Sequence, residues 1–150
     1  MADNYLQFSE SLDNLTAEEA DWLQSQLAED ADTGCPVFLL DFPDREDDDD
    51  TDRGFQYDFE GAGDERSLSI SAEERGYVER VAHLVQKFLK RFRPDECWSL
   101  TYATTCSKLR IGEFGGGAVF VTADEIHWQN SYEFIHQERA AFEAKKAAHR

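Results

Sequence analysis

Three stretches of this chain carry residue types that could do chemistry. The first is Thr104-Thr105-Cys106-Ser107-Lys108, which sets a thiol beside cations. A cysteine nucleophile needs a lowered pKa, which the field of Lys108 or Arg110 would supply. It also needs a general base, for which His83 and His127 are the candidates. Cys106 is therefore the one candidate catalytic residue, in a cleft beside Gly115-Gly116-Gly117 of a small cysteine-dependent enzyme. The simpler reading of a strand-end cysteine is packing, and no nucleophile-elbow motif supports a Ser-His-Asp arrangement.

The second stretch is the glycine triplet itself. A phosphate loop needs its glycines after a strand and before a helix. Here they precede the strand-like Ala118-Val119-Phe120-Val121-Thr122, with no Lys-Ser/Thr following, so a tight turn or bulge entering a strand is the expectation.

The third is the acidic run Asp44-Arg45-Glu46-Asp47-Asp48-Asp49-Asp50-Thr51-Asp52. A calcium loop wants oxygen ligands at positions 1, 3, 5, 7, 9 and 12 with Gly at 6. Starting at Asp48 puts Arg53 at the glycine position, and starting at Asp49 puts Arg53 at a ligand position. Neither register works. Cys35, Cys97, Cys106 and the histidines form no short paired ligand motif. No metal and no cofactor is expected.

The acids matter more as a surface. The 150 residues hold 32 acidic and 15 basic side chains, a formal charge of −17. Residues 1–65 contain 21 acids and two bases, net −19, and residues 66–150 contain 11 acids and 13 bases, net +2. Such a surface repels nucleic acid and anionic membranes and attracts basic surfaces, most of which belong to proteins that bind nucleic acid. The implied partner is the basic surface of a nucleic-acid-binding protein, with no direct nucleic-acid contact and no membrane. Carboxylates on a rigid fold would stand in for phosphates and occlude a basic groove. The residues expected to do so are Asp44, Glu46, Asp47, Asp48, Asp49, Asp50, Asp52, Asp58 and Glu60, with Phe55, Tyr57 and Phe59 as apolar anchors. The competing reading is that the charge serves solubility in a regulatory or structural module. Lys87, Lys90, Arg91, Arg93, Lys108 and Arg110 form a second candidate patch, read as solvated or as neutralising the protein's own acidic half. Three cysteines, an odd number, with no signal-like start, suggest reduced thiols in a cytoplasm.

The elements that must position these residues follow from periodicity. Tyr5-Leu6-Gln7-Phe8 reads as an edge strand or lead-in segment. Thr16-Ala17-Glu18-Glu19 fits a capping box opening a helix over about 17–30, striped by Trp22, Leu23 and Leu27, with Gly34 beyond as the stop. Strands at about 37–42, 54–60 and 66–71 suggest a three-stranded meander. Ser71-Ala72-Glu73-Glu74 fits a second capping box, for a helix over about 71–93 with Val78, Val81, Ala82, Val85, Phe88, Leu89 and Phe92 on one face. Arg80 falls on its polar face with the other bases. Strands at about 97–103 and 118–122 follow, with 126–128 a candidate third. Ser131 would cap a half-exposed last helix. The fold class is α+β: a single mostly antiparallel sheet of about five or six strands, with an amphipathic central helix packed on one face and flanking N- and C-terminal helices. One acidic domain spans 1–150, with an acidic loop at about 44–53.

Two segments carry a resemblance. Residues 81–94, Val-Ala-His-Leu-Val-Gln-Lys-Phe-Leu-Lys-Arg-Phe-Arg-Pro, and residues 105–118, Thr-Cys-Ser-Lys-Leu-Arg-Ile-Gly-Glu-Phe-Gly-Gly-Gly-Ala, resemble a group of small acidic proteins of bacteria and their phages. The similarity covers most of 66–130. That group has no assigned activity, so it implies no catalytic residue. Its phage or mobile-element setting implies an inhibitor of a host nucleic-acid enzyme, such as a defence nuclease.

Overall fold

The computed structural model describes residues 3–43 and 51–149. Among these residues, six strands and three α-helices follow one another: β1 (Asn4–Leu15), α1 (Ala17–Leu27), β2 (Gln56–Glu60), β3 (Arg66–Ala72), α2 (Val78–Phe92), β4 (Cys97–Cys106), β5 (Gly115–Thr122), β6 (Ile126–Asn130) and α3 (Ser131–Ala148). The strands make one antiparallel sheet in the order β2-β3-β1-β4-β5-β6. The α+β class and the single antiparallel sheet are therefore as the sequence predicts.

Directly opposed residues share a sheet face. The register sets Phe8, Leu12, Leu68, Ile70, Leu100, Val119 and Val121 on one face, where all are buried. The apolar side of α2 lies over the β4 and β5 part of this face, with Val81, Val85 and Phe88 fully buried, and α1 packs against β3 and β1. Trp22 of α1 closes one side of this core against Phe88 and Phe92, at ring separations of 6.3 and 5.6 Å. The other face carries short side chains such as Ser9, Ser11, Ser69, Ser71, Ser99 and Thr101.

Several elements differ from expectation. β1 is twelve residues long and central, not a short edge segment. A bulge between Leu12 and Leu15 hides it from a period-two reading: both leucines are buried although three positions apart. Asn14 takes φ 55° there, a left-handed conformation that asparagine tolerates. Residues 37–42 are not a strand. Val37–Leu39 form a 3-10 turn in which the adjacent Phe38 and Leu39 are both fully buried, so no three-stranded meander exists. A short apolar run does not by itself separate strand from helical turn. The second capping box is absent. Ser71 pairs with Ser9 and Gln56, and α2 starts only at Val78 with no side-chain cap. The intervening backbone bonds Leu6 instead, through Leu6 N–H to Glu74 O and Gly76 N–H to Leu6 O. Gly34 sits in the turn after α1, whose C-cap is Ala28. The cap of α3 is Asn130, which accepts from Glu133 N–H, while the Ser131 hydroxyl accepts from Gly116 N–H. The glycine triplet is part of β5 rather than a turn before it.

The first capping box forms as expected: Thr16 Oγ1 accepts from Glu19 N–H and Glu19 Oε1 from Thr16 N–H. The same Glu19 carboxylate is then held by Arg93, the residue after α2, at 2.8 Å from Nε. Arg93 also donates to the carbonyls of Asp13 and Asn14 in the β1 bulge. One guanidinium thus joins the end of α2, the start of α1 and the bend in β1. Burial pushes the Glu19 carboxyl up, but the Arg93 and Thr16 hydrogen bonds and the Arg93 charge outweigh it and hold the group below its ordinary value.

A depressed carboxyl stabilises fully above its unfolded-chain pKa and loses that contribution as pH falls through the folded value. Glu19→Gln should therefore lower stability by about 1–3 kcal/mol at neutral pH and flatten the acid limb of a stability-versus-pH curve measured by urea unfolding; an unchanged acid limb would contradict the clamp. Gly117 makes a second test. A Cβ there would lie 2.6 Å from the Gln129 carbonyl oxygen. Gly117→Ala should cost about 1–3 kcal/mol through overpacking, measured as a lowered denaturation midpoint.

Candidate functional site

The strand order turns the charge division of the sequence into a division in space. β2 and β1, both from the acidic first 65 residues, lie with β3 at one end of the sheet. β4, β5 and β6, from the near-neutral remainder, make the other end. Of the candidate partner-binding residues, Asp44, Glu46, Asp47, Asp48, Asp49 and Asp50 lie outside the described residues. Asp58 and Glu60 stand exposed on the outermost strand, β2, opposite Ser69 and Ser67 on the uncovered sheet face. Two residues apart on one strand, their side chains project about 7 Å from each other. Asp64 and Glu65 follow in the turn to β3, both exposed. Asp58, Glu60, Asp64 and Glu65 make no salt bridge among the described residues. Asp21 of α1 and Glu60 line a shared cleft of about 280 Å³ with Phe59 and Arg66. The acids of α1 and of the sheet edge therefore meet along one border.

α2 secures both flanks of the acidic run. On its N-terminal side Asp41 accepts from Lys87 Nζ at 3.0 Å and bonds His83 Nε2 at 3.0 Å. Burial raises the Asp41 carboxyl, but those two partners together hold it below its usual value. On the C-terminal side Asp52 Oδ1 accepts from Gly54 N–H, and the Asp52 carbonyl accepts from Arg80. Arg80 is not on a solvated face. It is buried, with its guanidinium 4.8 Å from the Tyr77 ring centre and 5.6 Å from that of Phe42. Arg80, His83 and Lys87 stand three and four positions apart, so they make one ridge of the helix. Periodicity exposes that ridge, but only the structure shows the acidic flanks seated along it.

The expected apolar anchors are mostly spent inside. Phe55 is buried against Phe38 and Phe59 is half-buried. Tyr57 keeps an exposed portion, with Arg53 over its ring at 4.8 Å. Two of the candidate basic residues neutralise the acidic half, as the sequence reading allows: Lys87 serves Asp41 and Arg93 serves Glu19, with Glu96 beside it, while Arg91 lies over Trp22 and Phe92.

Cys106 ends β4, half-buried and opposite Asn4. Neither candidate base reaches it by hydrogen bond: His83 bonds Asp41, and His127 bonds Glu125 Oε2 at 2.8 Å. A cleft of about 360 Å³ does open nearby, lined by Thr104, Thr105, Glu113, Arg75 and Tyr132, with Cys106 outside its lining. The Thr104 hydroxyl there is buried without a hydrogen-bond partner. Cys97 and Cys106 are free thiols, and the buried Cys35 thiol donates to the Pro36 carbonyl. Among the described residues no group of three or more His, Cys, Asp or Glu could hold a metal ion, and no helix is long and apolar enough to cross a membrane.

Comparison with known proteins gives no matching family model, no matching curated protein and no matching solved structure.

Proposed function

We propose that this chain is a non-enzymatic acidic binding module that occludes the basic, nucleic-acid-binding surface of another protein. It acts by presenting carboxylates where that surface takes phosphates. The observation that carries this reading is the group of carboxylates on the β2 side of the sheet, Asp58, Glu60, Asp64 and Glu65, that make no salt bridge among the described residues, while Lys87 and Arg93 are engaged by Asp41 and Glu19. Charge kept only for solubility gains nothing from such separation. A cationic groove does, because a one-signed surface steers its encounter and sets its orientation. The flanking residues Asp41 and Asp52 are anchored to α2, which ties both ends of the acidic segment to the fold. An inhibitor of a nucleic-acid enzyme of the host, in a phage or mobile-element setting, fits this chemistry.

The test is displacement of fluorescent duplex DNA from a strongly basic DNA-binding protein. The wild type should release the DNA, with its midpoint rising as salt screens the contact. A variant with Asp58→Asn, Glu60→Gln, Asp64→Asn and the acids of 46–52 replaced by their amides should be weaker by about tenfold or more. Equal displacement by the neutralised variant would refute the reading.

A further inference from the structure

Three clefts lie in a row across one end of the sheet, with volumes of about 420, 290 and 360 Å³. Glu74 and Arg75 line all three, so each cleft shares a wall with the next. The row runs from Asp52 and Gln56, past Asn4 and Tyr5, to Glu113 and Tyr132. The register accounts for it. The start of β2, the end of β3, the start of β1 and the end of β4 all fall at this end of the sheet. Four neighbouring strands span about 14 Å, at about 4.8 Å from each to the next, and an extended chain covers that distance in about four residues.

The charged residues lining the row are Asp3, Asp52, Glu73, Glu74 and Glu113 against Arg75. Among the described residues the side chains of Asp3, Glu73, Glu74, Glu113 and Arg75 make no salt bridge. Lys108 and Arg110 belong to the same hairpin as Glu113 but lie outside the lining, and Arg53, next to Asp52, lies over the Tyr57 ring. Concave surfaces lined mostly by one sign of charge concentrate the opposite sign. The row therefore selects a cation. Its walls select a peptide over a simple ion. Among the described residues no group of acids could hold a metal, and Tyr5, Leu6 and Tyr132 offer apolar surface of the kind that packs the stems of lysine and arginine. The Thr104 hydroxyl in the last cleft is, among the described residues, the one buried side-chain polar atom without a hydrogen-bond partner. An unmade bond of that kind costs stability, and the polar backbone of an occupant would supply it.

We propose that this row of clefts takes an extended basic segment of a partner protein, about four residues long, whose lysine or arginine side chains at alternate positions enter the clefts among the carboxylates and tyrosines. The proposal rests on the reading of the chain as a binder of basic proteins, and it names a partner element and a place on the surface apart from the exposed acids of β2.

Fluorescence anisotropy at low salt tests it, with a rhodamine-labelled, end-blocked peptide that alternates arginine and serine over six residues. The wild type should bind the peptide. Asp3→Asn with Glu73→Gln, Glu74→Gln and Glu113→Gln should raise the dissociation constant about tenfold or more. Asp58→Asn with Glu60→Gln, Asp64→Asn and Glu65→Gln removes as many charges outside the row and should change it less than about twofold. Arg75→Gln takes away the opposing charge and should lower it about threefold. Arginine amide alone should compete far less well than the peptide. A wild type that does not bind the peptide would overturn this proposal and leave the displacement of DNA by the acidic border to its own test. Equal losses in the two neutralised variants would also overturn it, since net charge alone would then account for binding. So would weaker binding by Arg75→Gln, or competition by arginine amide at matched arginine concentration, the mark of a small-amine site.

Discussion

The contact between Arg93 and Glu19 is the joint on which the architecture turns. Three separate pieces of chain end there: the bulged tail of β1, the first turn of α1 and the last turn of α2. Each end leaves polar backbone groups that must be satisfied. Glu19 serves the helix start and Arg93 serves the strand carbonyls, and their mutual attraction repays the removal of both from water. With those ends fixed, the apolar stripe of α2 lies over β4 and β5, where Leu100 and Val119 are buried, and the aromatic group of Trp22, Phe88 and Phe92 closes beside it. α2 in turn holds Asp41 and Asp52, through its ridge of Arg80, His83 and Lys87.

The proposed function depends on that chain of constraints as much as on composition. A run of carboxylates on a free tail would be equally negative but would have no fixed relation to the rest of the surface. Here the residues on either side of the run, Asp41 and Asp52, are anchored, and Asp58 and Glu60 of β2 follow in the chain. Among the described residues, two bases by the run's C-terminal flank are used structurally, Arg53 on Tyr57 and Arg80 within the aromatic group of Tyr77 and Phe42.

What was legible in the sequence, and what was not, divides along a physical line. Strong periodicity was readable: the stripe of α2, the alternation of β2 and β3, and the Thr16 capping box all formed. Features decided by tertiary competition were not. The Ser71 motif has the right residues for a cap, but strand pairing to Ser9 and Gln56 satisfies more backbone groups. The apolar 37–42 segment has strand-like residues but no neighbouring strand to pair with, so it tucks under the helices as a turn. β1 was cut short because a bulge breaks its alternation. For the candidate site, the net charge and Asp58 with Glu60 were legible. The roles of Arg80 and Arg93 were not, since nothing in local spacing distinguishes a solvated arginine from one buried against distant carbonyls. The six acids from Asp44 and Glu46 to Asp50 lie outside the described residues.

The strand order has one more consequence. Because the acidic pieces lie at one end of a six-stranded sheet and the near-neutral pieces at the other, the molecule carries a permanent electric dipole in addition to its monopole. A monopole draws a body inward without choosing its attitude. A dipole exerts a torque, so in the field of a cationic surface the protein turns while still diffusing and arrives with its β2 side leading.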